Sequence, residues 1–249
     1  MANHILVVSD IHFENEPHRG VDESKALQWL KKAIAKEKPD ILIGLGDWGH
    51  AWKPEDWQGL LQLVKIYAIF GNHENLDLLK ALRNSDGTRI LQQDGQIQMI
   101  AGLKFGFING VISDPPKAKE GVPRKSSTDF LEIAQNLASV NVLCTHESPM
   151  LPEYEGSVTL TVGLQTAREA IQTMHPDLAL SGHLSGAYTI SKIGNTTVVR
   201  IDSSQQERHY AVIETEKGLI RISNDNGTVN GCLFPLKNML KQREEKARK

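Results

Sequence analysis

The chain has few features of a secreted, membrane-spanning or disordered protein. Its 249 residues include only two cysteines, Cys144 and Cys232. That number is too small for a disulfide framework and is typical of a reducing compartment. No apolar run approaches the roughly 18 residues that a membrane span needs. The N-terminal residues also lack the apolar core and cleavage site of a signal peptide. We therefore expect a cytoplasmic protein without a membrane partner.

The chain also lacks an excess of charge of either sign. Its 28 basic and 30 acidic side chains give a formal net charge of −2. This balance gives no global case for nucleic-acid binding, although it leaves room for a local basic groove. The composition, 40% hydrophobic and 23% charged, is that of an ordinary globular protein. We expect one large domain over residues 1–236, followed by a charged helix or tail over 237–249.

The first half of the chain alternates short apolar runs with helical periodicity. Strands are predicted near residues 5–8, 40–45 and 66–70. Helices are predicted over residues 23–37 and from Pro54 onward, where apolar side chains recur at helical spacing. Such alternation indicates parallel βαβ units. Ligands of these sheets bind beyond the carboxyl ends of the strands.

The second half is richer in strands. The pattern predicts a hairpin around Gly102, helices near 128–138 and 164–174, and several later strands that end near residue 223. Two strand-rich halves with helices outside indicate an α/β protein with two packed mixed sheets. Residues 110–127 form the longest irregular stretch, which either overhangs the site or is a solvated surface loop.

Metal-binding side chains follow the predicted strands at five places. These are Asp10-Ile11-His12, Gly46-Asp47, Gly71-Asn72-His73-Glu74, His146 and His183. Asp10 and His12 are two residues apart, so both side chains can reach one ion, and the carboxylate of Asp47 could bridge two. Each motif alone is common. Together, their oxygen and imidazole donors suit a pair of divalent ions better than one structural zinc.

The order of these motifs resembles that of the calcineurin-like metallophosphoesterase superfamily. That family has the pattern D-x-H, G-D, G-N-H-E/D, a lone His and G-H-x-H, and the resemblance covers residues 5 to about 205. It implies a four-layer α/β/β/α sandwich. It also implies two metal sites that share Asp47. The first would be held by Asp10, His12 and Asp47, and the second by Asp47, Asn72, His146 and His183.

The resemblance further implies a phosphoesterase activity. A hydroxide bound between two divalent ions would attack phosphorus in line. The ions would be manganese in our first interpretation, with iron, nickel or zinc as alternatives. His73 would not be a ligand, because its equivalent in the family protonates the leaving oxygen or stabilises charge on the phosphoryl group.

Several substrates and roles agree with the motifs. Our first hypothesis is a phosphodiesterase that acts on a small soluble or nucleotide diester, and the alternative is a phosphomonoesterase. Protein serine/threonine phosphatases usually carry Asp-Arg-Gly after Gly-Asp, whereas here Trp48-Gly49-His50 follows. A second alternative is a degenerate member of the family that serves as a binding scaffold.

The chain departs from the family pattern at Ser185, where the last motif reads Gly182-His183-Leu184-Ser185. A serine hydroxyl is a weak ligand, so we expect the first metal site to bind its ion weakly. His50 or His209 could take the place of the absent imidazole. The alternative is that each of them lies on the surface, or contacts the ligands without binding the ion.

A second departure follows the last motif. Family members often have an Asn-Pro-Gly-Ser-like turn where this chain reads Arg200-Ile201-Asp202-Ser203-Ser204. Arg200, and Arg124 or Lys125 in the long loop, either contact a phosphate or are surface charges.

Overall fold

The structure is a computed structural model that describes residues 4–17, 20–119 and 121–235. The predicted tail over residues 237–249 lies outside this part, so the proposed division into domain and tail stays a prediction. The helices are α1 (Ala26–Glu37), α2 (Pro54–Leu61), α3 (Leu76–Ala81), α4 (Ser127–Asn136) and α5 (Val162–Met174). None of the described helices is both long and apolar enough to span a membrane.

The strands form two six-stranded sheets. The first sheet contains β1 (His4–Val8), β2 (Ile41–Leu45), β3 (Lys65–Ile69), β10 (Tyr210–Glu214), β11 (Leu219–Asn224) and β12 (Gly227–Leu233). The second contains β4 (Ile97–Ile100), β5 (Leu103–Ile108), β6 (Val142–Thr145), β7 (Leu178–Ser181), β8 (Tyr188–Ile193) and β9 (Thr196–Ile201).

Each sheet has a parallel part and an antiparallel part. The order in the first sheet is β12-β11-β10-β1-β2-β3, with β1, β2 and β3 in parallel. The order in the second is β4-β5-β6-β7-β9-β8, in which β5, β6, β7 and β9 are parallel. The carboxyl ends of the parallel strands therefore gather at one edge of each sheet, as the βαβ pattern predicts.

Three apolar layers hold the sheets and helices together. Alternate residues of β1 point to opposite faces, so Val7 packs between the sheets while Leu6 packs against α1. In the second sheet, Leu143 of β6 packs with Phe130 of α4 and Ile171 of α5. Full burial of one such side chain is worth about 1.5–3 kcal/mol. The helix, sheet, sheet and helix layers confirm the four-layer sandwich.

Two elements were not predicted, and one helix begins differently. The helix α3 has only six residues, and β12 is largely exposed, so neither has a long apolar pattern. The helix predicted over 23–37 begins as a 3₁₀ turn at Glu23–Lys25 and continues as α1. It ends at Lys38, whose left-handed backbone (φ 48°) caps the helix before Pro39.

Candidate metal centre

The predicted ligands meet where the carboxyl ends of the two sheets face each other. Asp10 and His12 follow β1, and Asp47 follows β2. His146 follows β6, and His183 follows β7 in the other sheet. Backbone hydrogen bonds fix the first group, because Asp10 N–H donates to Gly46 and His12 N–H donates to Asp47, both at 2.9 Å. The topology thus brings together residues from both halves of the chain.

The first cluster consists of Asp10, His12 and Asp47, all buried. The Nε2 atom of His12 lies 3.8 Å from Oδ1 of Asp10 and 3.6 Å from Oδ2 of Asp47. One potential ligand atom from each residue lies within 4.8 Å of the others. Two carboxylates and one imidazole at such spacing can surround a single divalent ion.

The second cluster consists of Asp47, His146 and His183, so Asp47 belongs to both. The Nδ1 atom of His146 lies 2.7 Å from the Leu45 carbonyl oxygen, which can only accept a hydrogen bond. The proton of a neutral ring is therefore on Nδ1, and Nε2 is left to bind. That Nε2 lies 3.4 Å from Oδ1 of Asp47.

Two buried atoms at this cluster fit a bound ion. Within the described part of the chain, Nε2 of His146 and Oδ1 of Asn72 have no hydrogen-bond partner. Buried polar atoms without partners are rare, and an ion that binds them is one accepted explanation. Asn72 and His73 donate their backbone N–H groups to Oδ1 of Asp47, at 2.6 and 2.8 Å. These bonds orient the shared carboxylate, and Oδ1 of Asn72 is a suitable oxygen ligand.

The titration of these groups agrees with a site for a divalent cation. Burial raises the pKa of Asp10 to about 7, with added repulsion from Asp47 and Asp202 against attraction by His146. Burial lowers the pKa of His146, but the charges of Asp47 and Asp10 outweigh it and raise the pKa to about 10. Without a bound cation, Asp10 and His146 therefore retain protons more readily than usual. A divalent cation that binds here would displace these protons.

The backbone at four of these residues is left-handed. The φ angles are 56° at Asp10, 47° at His12, 54° at Asp47 and 68° at His183. Such values cost of order 1–3 kcal/mol for residues other than glycine, and they concentrate at functional sites. These conformations occur just after β1, β2 and β7, where the chain leaves each strand and the predicted ligands cluster.

Two glycines of the predicted motifs allow this close approach. A Cβ at Gly71 would lie 2.2 Å from Oδ1 of Asp47 and 2.6 Å from the ring of His146. A Cβ at Gly182 would lie 2.4 Å from Oδ2 of Asp10. Both distances are shorter than a carbon atom tolerates, so the motifs need glycine for space.

His73 lies beside the clusters and belongs to neither. Its ring centroid is 5.3 Å from that of His12, and the rings meet edge to face.

Glu74, which follows His73, is buried and accepts N–H groups from Gly71 at 2.8 Å and Trp48 at 3.3 Å. Burial and the charge of Asp47 raise the pKa of Glu74 well above its usual value. Glu74 therefore ties the Asn72 turn to the segment after Asp47.

Ser185 is exposed, and neither proposed replacement histidine joins a cluster. The Nδ1 atom of His50 lies 2.8 Å from Glu14, and its ring is 6.2 Å from that of His73. His209 packs against Tyr188 with ring centroids 5.3 Å apart. Both are outside the two groups of potential ligands in the described part of the chain. The hypothesis that either replaces the absent imidazole is not supported by this arrangement.

Two of the three basic residues considered for phosphate binding have structural contacts. Arg200 is not a surface charge, because it is 4% exposed and its guanidinium donates to the carbonyl groups of Leu184 and Gly186. Lys125 donates to the Asn109 carbonyl at 2.6 Å and lies 3.0 Å from Asp94. Both side chains therefore stabilise loops through these contacts.

The long loop contacts the fold close to the second cluster. Its residue Ile112 donates a backbone N–H to Glu147 at 2.9 Å. The other oxygen of Glu147 lies 4.0 Å from Nε2 of His183. Burial raises the pKa of Glu147 to about 6, against the hydrogen bond from Ile112 and the charges of His146 and of Arg124, which is also in this loop. The base of the loop is therefore held against the site.

Sequence reasoning missed the buried carboxylates of Glu23, Glu147 and Asp202. They are only 2–4% exposed, and none belongs to a predicted motif. Glu147 follows His146 directly, which is the one local signal that could have pointed to it. Glu23 and Asp202 come close to Asp10 only through the fold.

Comparisons with known proteins agree with this geometry. A family model described as calcineurin-like phosphoesterase matches residues 4–185. No curated protein matches the chain. Among solved structures, TT1561 of Thermus thermophilus is similar with a TM-score of 0.65 and 15% identity, over 90% of this chain and 99% of that one. GAP50, described as the anchor in the inner membrane complex of Plasmodium, has a TM-score of 0.56 and 10% identity, over 94% and 89% of the chains. At these identities the two structures show a shared fold.

Proposed function

Because the chain belongs to the calcineurin-like phosphoesterase family, we propose that it hydrolyses phosphodiesters with two divalent ions. The observation that carries this proposal is the pair of clusters that share Asp47. The first ion would be held by Asp10, His12 and Asp47, and the second by Asp47, Asn72, His146 and His183. When bound, such ions stabilise charge on the phosphoryl group and make a water nucleophile available near neutral pH.

Manganese is the ion that we propose, with iron, nickel or zinc as alternatives. Imidazole nitrogen and carboxylate oxygen donors occur together in both clusters, and this mixture binds several first-row divalent metals. The hydrogen bond from His146 to the Leu45 carbonyl supports one tautomer, and so leaves Nε2 as a donor to the ion.

His73 is the residue that we propose for proton transfer to the leaving oxygen or for stabilising the phosphoryl charge. Its ring lies at the edge of the His12 ring, and its backbone N–H is anchored on Asp47. An imidazole in this position would be close to a phosphate bound at the clusters without being needed as a ligand. Either role is general-acid or electrostatic catalysis.

A diester is supported over a monoester by the charges around the centre. Three buried carboxyl groups lie beside the clusters: Glu23 and Asp202 line the cavity at Asp10, and Glu147 lies 4.0 Å from His183. A phosphomonoester carries about −1.5 to −2 at neutral pH, and its binding is usually helped by an arginine fork. Arg200 donates instead to loop carbonyl groups. A small diester with a single negative charge fits this acidic environment better than a monoester does.

Hydrolysis of chromogenic esters tests the proposal. The manganese-loaded chain should hydrolyse bis(p-nitrophenyl) phosphate with a kcat/KM at least about tenfold above that for p-nitrophenyl phosphate, which is a difference of about 1.4 kcal/mol. Asp47→Asn should abolish both activities, because Asp47 belongs to both clusters. A preference for the monoester would contradict the diesterase hypothesis. No release above the Asp47→Asn background with manganese, nickel or zinc would favour a binding scaffold.

A further inference from the structure

A small cavity lies where the family pattern would place the last histidine. Its volume is about 50 Å³, and Asp10, His12 and Ser185 line it. Because Ser185 has a short side chain, the first cluster is open on this side. Asp202, which follows β9, lines the same cavity.

The carboxylate of Asp202 is fixed by backbone groups on two sides of the cavity. Oδ1 accepts the N–H of Ser204 and Oδ2 accepts the N–H of Gly186, each at 2.9 Å. Each carboxylate oxygen can accept a further hydrogen bond. The segment itself is held to the end of β1, since Ser203 N–H donates to the Ser9 carbonyl at 2.8 Å. Asp202 is therefore both positioned beside Asp10 and able to bind something else.

The charge of Asp202 is not balanced in the structure. It is 4% exposed, and it lines the same cavity as the carboxyl groups of Asp10 and Glu23. In the described part of the chain, no lysine or arginine forms an ion pair with Asp202. Buried carboxylates are costly unless they are paired or lie close to a metal. A cation in the first cluster would provide that balance.

We infer that Asp202 takes over the role of the absent histidine by binding, through one water molecule, to the ion of the first site. Asp202 does not belong to the group of ligand atoms that lie within 4.8 Å of one another at Asp10, His12 and Asp47, so we place it behind these ligands and not among them. Asp202 is a positioning residue in this arrangement, and the inference rests on the proposed function.

Manganese titration of four chains tests the inference without measuring activity. The parent, Asp202→Asn, Ser185→His and the double variant would be compared by isothermal titration calorimetry. Loss of an outer partner typically costs about 10–100-fold in metal affinity, so Asp202→Asn should weaken the weaker of the two sites by at least about tenfold. Ser185→His should tighten that site. In the Ser185→His background, Asp202→Asn should cost less than about threefold, because the imidazole replaces the water.

Asp177→Asn is the matched control, since Asp177 is equally buried at 4% exposure and precedes β7 at the opposite edge of the sheet. It should leave both manganese affinities unchanged. If Asp202→Asn does not fold by circular dichroism, Asp202→Ser takes its place. A parent-like isotherm for the Asp202 variant, or an equal loss with and without His at position 185, would overturn the inference. A parent chain that binds no manganese would overturn the proposed function as well.

Discussion

His73 is the imidazole of this centre whose removal should separate catalysis from metal binding. It lies beside His12 but outside both clusters, so His73→Ala should keep both manganese affinities. Loss of general-acid catalysis typically costs about 10²–10⁴-fold, and we expect kcat for the diester to fall within that range. Stopped assays and metal analysis of the same preparation check both parts. His50→Ala is the control, because His50 is exposed and paired with Glu14. Loss of bound manganese from His73→Ala would identify His73 as a ligand instead.

The raised pKa of Glu23 predicts that the stability of the folded chain depends on pH. Burial, together with the charges of Asp202 and Asp22, raises its pKa from 4.5 to about 7 in the folded chain. The unfolded chain releases this proton near pH 4.5 and the folded chain only near pH 7. Stability from this group is therefore complete below pH 4.5 and is lost as the pH rises through 7.

Replacement of Glu23 by glutamine should remove this dependence. Glu23→Gln keeps an acceptor for the Gln205 N–H and cannot ionise. The variant should gain stability relative to the parent between about pH 5 and about pH 8, by up to about 1.4 kcal/mol for each unit of pKa difference. Urea denaturation in the presence of a chelator at both pH values measures it. A difference between the two chains that does not change with pH would contradict the assignment.

The residues that form the two clusters were predictable from the sequence, and their surroundings were not. Asp10, His12 and Asp47 follow apolar strands, and this local pattern was enough to select them. The hydrogen bond from His183 N–H to Asp10 joins residues 173 positions apart, and Asp202 approaches Asp10 in the same non-local way. Such contacts depend on strand order, which no local window contains.

At the scale of elements, buried strands were predicted better than exposed ones. The strands β1, β2 and β3 are almost fully buried, so their apolar runs identify them. Most side chains of the edge strand β12 are exposed, so its sequence lacks the alternation of apolar and polar residues that identifies a strand. The pairing of β7 with β9, with β8 outside, also follows from packing rather than from a motif. Sequence patterns therefore located the strands that carry the predicted ligands and the edge strands β3, β4 and β8, but missed the exposed edge strand β12.

A methyl group added at Gly71 should disturb the whole turn between β3 and α3. A Cβ there would overlap Oδ1 of Asp47, so Gly71→Ala must displace the shared carboxylate or the Asn72 backbone. We expect a folded chain whose manganese affinity falls at least about tenfold, as for other changes that misorient ligands. Calorimetric titration measures the affinity. Gly59→Ala in α2 is the control, because its nearest neighbour would be the end of the Lys31 side chain at 3.4 Å. Unchanged affinity in Gly71→Ala would contradict the steric argument.

At the scale of the whole molecule, the residues of the proposed metal centre join the two sheets. His146 and His183 of the second sheet contact Leu45 and Asp10 of the first, through hydrogen bonds of 2.7 and 3.0 Å. The same edge holds the left-handed backbone, whose strain weakens the folded state. It also holds the buried carboxylates, whose charge weakens the folded state unless a cation balances it. Ions bound here should therefore stabilise the entire sandwich.

Metal removal should lower the unfolding temperature of the whole chain. A ligand that binds only the folded state at about 100 times its Kd adds about 2.7 kcal/mol, so manganese should raise the Tm and a chelator should lower it reversibly. Differential scanning calorimetry over a manganese series measures the shift, and one transition should move as a whole because residues of both sheets would hold the ions. Asp47→Asn supplies the control: it lacks the shared ligand, so its Tm should respond little to manganese. A parent chain with the same Tm in manganese and in chelator would show that the ions do not bridge the sheets.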